Sequence, residues 1–261
     1  GLAHLPAQPP RDPARGLSGG HAVTVIHPLR LRFSNAYLLT GGHRPVLIDT
    51  GSPGDGPALA AGCAAAGVDP GDLALILHTH VHSDHGGNTA DWARRARCPV
   101  SHHEGDRALA TQGHNGPLRG VGLRGRLMSP FFAHATFPAF AADLPVTDGQ
   151  RLDAFGVAAT VLHTPGHTRG SITIVLDAGD AIVGDLLMGG YLGGKVRAGK
   201  PNFHYFAEDA ATARRSLDRV LAVTRGRLHV GHGGPLAHAD VVRWRNAHQP
   251  RGGVAPDHGP S

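Results

Sequence analysis

One stretch decides the fold of this chain, LILHTHVHSDHGGN at residues 75–88. Its apolar start is followed by four potential metal ligands within six residues, which are His80, His82, Asp84 and His85. Imidazole and carboxylate groups suit zinc and neighbouring first-row metals, and a cluster this dense is costly unless a cation neutralises it. We therefore interpret the stretch as half of a metal site.

The spacing of these ligands favours an extended segment over a helix. In an extended chain His80 and His82 project to the same side, whereas on a helix they would point to nearly opposite sides. We therefore expect these two to share one metal, with Asp84 and His85 at a turn facing a second. The alternative is a histidine-rich surface loop in a chain with 20 histidines. The acidic residue, the two glycines and the preceding apolar run all favour a site.

Composition bounds the class of protein. A chain of 261 residues buries a substantial core, as one large domain or two small ones. Hydrophobic content of 41% and charged content of 17% are typical of a soluble globular protein. No run approaches the roughly 18 apolar residues that span a bilayer, so no membrane partner is expected. The first 20 residues lack the apolar centre of a secretory signal, although a leader removed ahead of Gly1 stays open.

Cysteine usage and charge give two further expectations. Cys63 and Cys98 are too few for a disulfide framework, so we expect them reduced and buried in a cytoplasmic protein. The net charge of +5 and the pI near 9.9 would suit an anionic partner. The basic residues are scattered, however, so nucleic acid is not the expected partner.

The order of apolar runs predicts a sheet covered by helices. Residues 1–20 and 249–261 are rich in proline and glycine and predict flexible tails around one domain at residues 21–248. Short antiparallel strands are predicted at residues 22–26, 29–33, 36–39 and 45–48. Helices are predicted at 56–66, 89–96 and 207–223, with a strand at 73–77 between the first two. Residues 104–145 are interpreted either as a lid over a site or as an ordinary covering loop.

The second half of the chain repeats the pattern of the first. Apolar strands run into His167, Asp185 and His232, each beside a glycine. Residues that follow successive strands emerge along one edge of a sheet, where a site can form. The full set of candidate ligands is His80, His82, Asp84, His85, His167, Asp185 and His232. Seven ligands suit two metals, three on each and one carboxylate shared between them.

Four separated motifs resemble those of a known protein family. They are HVHSDH at residues 80–85, TPGHT at 164–168, GD at 184–185 and GHG at 231–233. Together they resemble the signature of the metallo-β-lactamase superfamily, over about residues 33 to 234. The resemblance implies an α/β fold, a four-layer αβ/βα sandwich of the metallo-β-lactamase type.

The resemblance also implies roles for the ligands. His80, His82 and His167 would hold the first metal, Asp84, His85 and His232 the second, and Asp185 would bridge them. Asp49, at the end of a strand, matches the family's buried aspartate that supports the metal loop. Such outer-shell carboxylates fix ligand orientation, although a turn-capping role for Asp49 is the alternative.

The aspartate at 185 places the resemblance nearest the glyoxalase II, lactonase and general hydrolase branches. They imply a dinuclear hydrolase whose metal-bridged hydroxide attacks an ester, thioester or lactone carbonyl of a small-molecule substrate, with Asp84 as the catalytic proton carrier. The cofactors would be two divalent ions, zinc first, with iron or manganese as alternatives. Alternative functions are a phosphodiesterase on the same centre, or a non-hydrolytic iron-dependent oxygenase or redox protein.

The segment that follows Asp185 is predicted to line the substrate pocket. Tyr191, His204 or Tyr205 would donate to a developing oxyanion, or else serve as core anchors. The only two lysines of the chain, Lys195 and Lys200, fall in the same segment. They suggest an anionic substrate.

Overall fold

The computed structural model describes residues 23–248. The tails predicted at residues 1–20 and 249–261 lie outside the described residues. Within residues 23–248 the chain forms twelve strands and seven α-helices. The strands are β1 (Val25–Arg30), β2 (Asn35–Thr40), β3 (Val46–Ile48), β4 (Leu75–Leu77), β5 (Val100–Ser101), β6 (Ala159–His163), β7 (Ile172–Leu176), β8 (Ala181–Gly184), β9 (Met188–Tyr191), β10 (Val196–Asn202), β11 (Arg227–Val230) and β12 (Leu236–Ala237). The helices are α1 (Gly56–Ala65), α2 (Ser83–Gly86), α3 (Thr89–Ala96), α4 (Arg107–Gln112), α5 (Gly122–Phe132), α6 (Ala210–Val223) and α7 (His238–Ala247).

Two five-stranded sheets carry the fold. The first has the order β1-β2-β3-β4-β5, antiparallel from β1 to β3 and parallel from β3 to β5. The second has the order β12-β11-β8-β7-β6, in which only the β8–β11 pair is parallel among the described strands. Strands β9 and β10 form a separate two-stranded hairpin.

The two sheets pack face to face through an apolar layer. Leu39, Ile48 and Leu77 of the first sheet and Val161 and Ile174 of the second are fully buried in one cluster. Because successive side chains of a strand point to opposite faces, the neighbours of these residues point outward to helices. The core between the sheets therefore fixes the orientation of both sets of strand ends.

Helices cover the outer face of each sheet. Trp92 of α3 and Leu59 of α1 pack in one cluster with Ile76 of the first sheet. Leu217 of α6 and Val241 of α7 belong to a separate cluster on the second sheet. The layers are thus helix, sheet, sheet and helix, which is the αβ/βα sandwich expected from the sequence.

Two predictions about strands were wrong. Residues 22–26 and 29–33 do not form separate strands, because one strand, β1, spans Val25–Arg30 and includes Pro28. β1 is an edge strand, where a residue without a backbone N–H donor is tolerated. The β9–β10 hairpin was not predicted at all, since Gly189 and Gly190 have low strand propensity.

No helix in residues 23–248 has both the length and the apolar character that crossing a membrane requires.

Candidate metal centre

The predicted ligands lie along one edge of the sandwich, in the loops after β4, β6, β8 and β11. We call these four loops the ligand edge. After β4 the chain bends at Thr79 and His80, is extended at His82 (φ −117°, ψ 165°) and then begins α2 at Ser83. His82 is therefore on extended backbone, whereas His80 lies in the bend before it, and Asp84 and His85 lie on a four-residue helix.

The structure brings all seven predicted ligands together and adds one more histidine. Four groups of three residues have donor atoms within 4.8 Å of one another. The groups are His80, His82 and His167; His80, His85 and Asp185; Asp84, His85 and His232; and His167, Asp185 and His204. All of these side chains are buried except Asp84 and His204, which are half-buried.

Asp185 is the centre of the cluster. Its Oδ2 atom lies 3.2 Å from Nε2 of His204, 3.2 Å from that of His232, 3.6 Å from that of His167 and 3.8 Å from that of His80. Its Oδ1 atom lies 3.5 Å from Nε2 of His85. One carboxylate is thus within reach of both predicted triads.

Unpaired buried atoms show that the site fits a cation. Nε2 of His80, Nε2 of His85 and Oδ1 of Asp185 are buried and have no hydrogen-bond partner among the described residues. Buried polar atoms without partners are rare because each costs about 1–3 kcal/mol. A Cβ at Gly231 would lie 2.0 Å from Asp185 Oδ1, so the glycine keeps this space open. The donor set of imidazoles and carboxylates suits a divalent cation.

Contacts behind the cluster orient three of the rings. His167 Nδ1 donates to the carbonyl of Phe206 at 2.9 Å, and His232 Nδ1 donates to the carbonyl of Phe33 at 2.7 Å. His85 Nδ1 lies 2.9 Å from Asp49 Oδ2. Because Nδ1 donates in these contacts, Nε2 of each ring faces the cluster and would give its lone pair to a cation once the cation displaces any proton there.

Asp49 is buried beneath the first ligand loop. It accepts hydrogen bonds from the backbone N–H and the hydroxyl of Thr79, both at 2.8 Å, in addition to its contact with His85. Its backbone is left-handed (φ 61°), a conformation that aspartate and asparagine tolerate better than most residues. Burial alone would raise the pKa of Asp49, but His85 and His78 outweigh burial and lower it. These contacts correspond to the supporting role more closely than to a turn cap.

Asp106 is a site residue that the sequence reasoning missed. It lies at the end of the 3-10 turn Glu104–Asp106 and accepts hydrogen bonds from Val81 N–H, the Thr168 hydroxyl and Gly170 N–H at 2.8–2.9 Å. It therefore joins the loop of His80 and His82 to the loop of His167. Burial raises its pKa to about 6, against the opposing effect of these donors. The signal was present, since strand β5 is followed at once by polar residues and a glycine.

The pKa values of the histidines in the cluster are shifted in opposite directions. Burial lowers the pKa of His80 and His82 well below the usual value, with neighbouring imidazoles adding to the effect. Burial also acts to lower the pKa of His232 and His85, but Asp185 and other carboxylates outweigh it. The pKa of His232 is raised to about 8, and that of His85 is also raised well above its usual value. Burial would raise the pKa of Asp185, yet His232 and His204 hold it well below its usual value.

A cavity of about 610 Å³ opens directly onto the cluster. It is lined by His82, Asp84, Asp185, His204 and His232 at its base. Its walls come from residues 104–145 and 186–206, which we call the cover. The first of these segments, left open as a lid or a covering loop, thus forms a wall of the site.

The cavity divides the predicted substrate contacts. His204 and Tyr205 line it, and so does Lys195. Tyr191 is not among its lining residues and lies instead beneath Arg124 and Lys200, at 5.6 and 5.5 Å from its ring centroid. His204 is also part of the cluster, a position that its sequence context gave no reason to expect.

The sandwich with a histidine and aspartate cluster at one edge is the architecture of the metallo-β-lactamase fold. Residues 29–232 match the model of the metallo-beta-lactamase superfamily. The chain belongs to that superfamily.

Several relatives span most of the chain. Human metallo-beta-lactamase domain-containing protein 1 is 31% identical over 253 residues, which cover 95% of this chain and 74% of the relative. A hydroxyacylglutathione hydrolase of Anaeromyxobacter dehalogenans is 32% identical over 198 residues, 75% of this chain and 60% of the relative. The match to relatives from Mycobacterium tuberculosis, at 33% identity over 151 residues, spans 61% of their length. The solved structure of TTHA1623 in a di-iron-bound form is 29% identical, with a TM-score of 0.57 over 85% of this chain and 96% of that one.

Proposed function

We propose that this chain is a dinuclear metal-dependent hydrolase that cleaves an ester, thioester or lactone of a small molecule. The observation that carries the proposal is Asp185, which lies between two groups of imidazoles. Its Oδ1 atom and the Nε2 atoms of His80 and His85 are buried without a hydrogen-bond partner among the described residues, which suits electron-pair donation to a cation.

The ligand assignment follows the two groups. We assign His80, His82 and His167 to one cation, Asp84, His85 and His232 to the other, and Asp185 to both. Zinc is our first assignment, because imidazole with carboxylate is a common zinc donor set. Iron is the second, supported by the di-iron-bound form of TTHA1623, and manganese the third.

Bound cations would supply an activated hydroxide at neutral pH and polarise the oxygen of the scissile group. Asp84 is assigned to move the proton, because its side chain is 30% exposed, lines the cavity and has Oδ2 3.4 Å from His232 Nε2.

His204 is assigned to donate a hydrogen bond to the substrate oxygen. Burial lowers its pKa to about 3, so the ring is neutral at pH 7. The N–H of Phe206 donates to its Nδ1 atom at 3.2 Å, which leaves the proton on Nε2, at the cavity and 3.2 Å from Asp185 Oδ2. The assignment therefore requires that this proton turn from Asp185 to the substrate when Asp185 binds the cations. Tyr205 also lines the cavity and is assigned to substrate contact, whereas Tyr191 is retained only as an untested candidate.

Acyl chemistry is favoured over phosphodiester cleavage. The cavity walls are mostly apolar, which suits an acyl group, and a bacterial relative carries the name of an acyl-glutathione hydrolase. The observation that favours the second candidate is the pair of cations, Arg32 and Lys195, at the cavity. A phosphodiesterase would use them to hold a phosphate.

Metal analysis and a substrate panel test the proposal. The protein is stripped with a chelator, reloaded with zinc, and analysed for metal by mass spectrometry. It is then assayed with acyl thioesters, esters, lactones and bis-p-nitrophenyl phosphate. We expect two metals per chain and acyl turnover, both lost in His82→Ala and retained in the matched control His27→Ala, on β1. Fewer than one metal per chain after reloading would refute the proposal, and turnover of the phosphodiester alone would select the second candidate.

A cytoplasmic location is part of the proposal. Both cysteines of the chain are buried free thiols. Burial raises the pKa of Cys63 and of Cys98, which keeps them protonated and unreactive. Free, inert cysteines are compatible with a reducing compartment.

A further inference from the structure

The cavity beside the cluster has two chemically different sides. One wall is apolar and is formed by four residues of the cover, Leu118, Met128, Phe132 and Phe206. The other side holds Arg32, Phe33 and Lys195. The cluster forms the base between them, so a substrate with its reacting carbonyl at the base has one part in each environment.

The four side chains of the apolar wall carry no N–H or O–H group. Asn115 also lines the cavity, but its side chain accepts from Ser83 N–H at 2.6 Å and donates to the carbonyl of Phe132 at 3.3 Å. Its hydrogen-bonding groups are therefore used to attach α5 to the ligand loop. Phe132 is 44% exposed and Leu192 67% exposed, a large apolar area for a protein surface unless a ligand covers it.

The opposite side is cationic and free of counter-charges. Arg32 and Lys195 both lie over the ring of Phe33, at 5.7 and 6.0 Å from its centroid, so both charges are beside one lining residue. Neither forms an ion pair with a carboxylate of residues 23–248. Among those residues the carboxylates that line the cavity are Asp84 and Asp185, which belong to the cluster.

We propose that the substrate is an ester or thioester with an apolar acyl chain of several carbons and an anionic leaving group. The acyl chain would pack on Met128 and Phe132, and the leaving group's negative charge would face Arg32 and Lys195. This inference rests on the proposed hydrolase function. In the reaction, water adds to the carbonyl carbon and the carbon–sulfur or carbon–oxygen bond breaks, giving a carboxylate, a thiol or alcohol, and one proton.

Four matched thioesters test the two sides separately. They are the acetyl and octanoyl thioesters of 2-mercaptoethanesulfonate, which is anionic, and of 2-mercaptoethanol, which is neutral. We expect kcat/KM to be at least about tenfold higher for octanoyl than for acetyl, the gain that burial of roughly two methylene groups supplies. The sulfonate should be favoured about threefold to tenfold at low salt, and added sodium chloride should reduce that preference.

Substitutions in each wall, each with a control outside the cavity, test which wall causes the acyl-chain preference and which causes the charge preference. Met128→Glu should reduce the octanoyl-to-acetyl ratio, whereas Leu123→Glu, on the same helix but outside the cavity lining, should not. Arg32→Glu with Lys195→Glu should invert the sulfonate preference. Lys200→Glu, a single charge reversal outside the cavity lining, should leave it intact, and Lys195→Glu alone is the variant of equal charge change.

Two outcomes would overturn the inference. They are equal kcat/KM for acetyl and octanoyl, or a preference for the neutral leaving group that the Arg32 and Lys195 variants do not alter.

If none of the four thioesters is hydrolysed, calorimetry with 1-octanesulfonate and 1-butanesulfonate tests the cavity apart from the reaction. Tighter binding of the octyl compound that Met128→Glu abolishes would support the amphiphile site without the reaction. Equal or undetectable binding of both compounds would overturn it.

Discussion

The ligand edge and the cover differ in how firmly the fold holds them. His80, His85 and Asp185 are at most 4% exposed and lie on loops between strands of the two-sheet core. The cover, in contrast, leaves Leu123 74% and Phe131 83% exposed. Residues 104–145 of the cover are anchored by a small cluster in which Ala110 and Phe137 contact Val81, a residue of the ligand loop itself. In the second segment the part next to Asp185, including Leu187 and Met188, is buried in the core. Strand ends therefore position the chemistry, while a loosely packed segment shapes what can reach it.

This difference predicts that substitutions at the ligand edge will affect function far more than substitutions on the cover's outer face. Four substitutions test this difference.

Asp185→Asn should have the largest effect, because it removes the charge shared by both groups of ligands. We expect the metal content to fall and kcat/KM to drop on the order of 1,000-fold, beyond the roughly 10–100-fold cost of altering an outer-shell group. Metal analysis and steady-state kinetics would measure both. Asp180→Asn, which disturbs the Asp180–His229 pair on the same sheet, is the matched control. Equal losses in the two variants would contradict a special role for the ligand edge.

Asp106→Asn tests the hydrogen bonds by which the cover contacts the ligand edge. Its pKa of about 6, against an ordinary value of 3.8, means that the folded state holds the proton more tightly than the unfolded state. The resulting stabilisation is fully present below pH 3.8 and is lost as the pH rises through about 6. The magnitude is about 3 kcal/mol.

The measurement is the free energy of unfolding of wild type and Asp106→Asn by urea titration between pH 4 and 7. Asparagine does not titrate, so the stability of wild type minus that of the variant should decline across this range. A difference that is constant with pH would show that Asp106 keeps an ordinary pKa.

Asp49→Asn should have an intermediate effect. Asparagine tolerates the left-handed backbone at this position but lacks the charge that faces His85. We expect apparent metal affinity to fall roughly 10–100-fold with little change in fold. Competition with a chromogenic chelator measures the affinity, and circular dichroism checks the fold. Unchanged affinity would leave Asp49 with only a turn-capping role.

Leu123→Gln should have the smallest effect. The side chain is mostly in solvent and is not part of the cavity lining, so the free energy of unfolding should change by less than about 0.5 kcal/mol. Thermal and urea unfolding would detect a larger change. A loss above about 1 kcal/mol would mean that the outer face of α5 is packed more firmly than its exposure indicates.

Local patterns were enough to predict the ligand edge. Three local features lie within a few residues of one another: the ligand types, the alternating side-chain directions of an extended chain, and the glycines after each strand. They are enough to mark residues 80–85 as a candidate ligand segment. The same patterns predicted α1 and α3 almost to the residue, and the antiparallel start of the first sheet. Where a pattern was misleading, at β1, the reason was non-local, since only a sheet edge accommodates Pro28.

In the sequence alone, short-range patterns of strand ends and the polar residues after them indicate the seven candidate ligands. The resemblance carried by the four motifs around those ligands indicates the superfamily and the αβ/βα sandwich. Only the tertiary structure decided that His204 joins the cluster, that Asp106 ties two ligand loops together, and that Lys195 lines the cavity while Lys200 does not. These three features depend on how the cover folds back over the sheets. Its path is set by contacts between residues far apart in the chain, such as Phe137 with Val81, that no local pattern specifies.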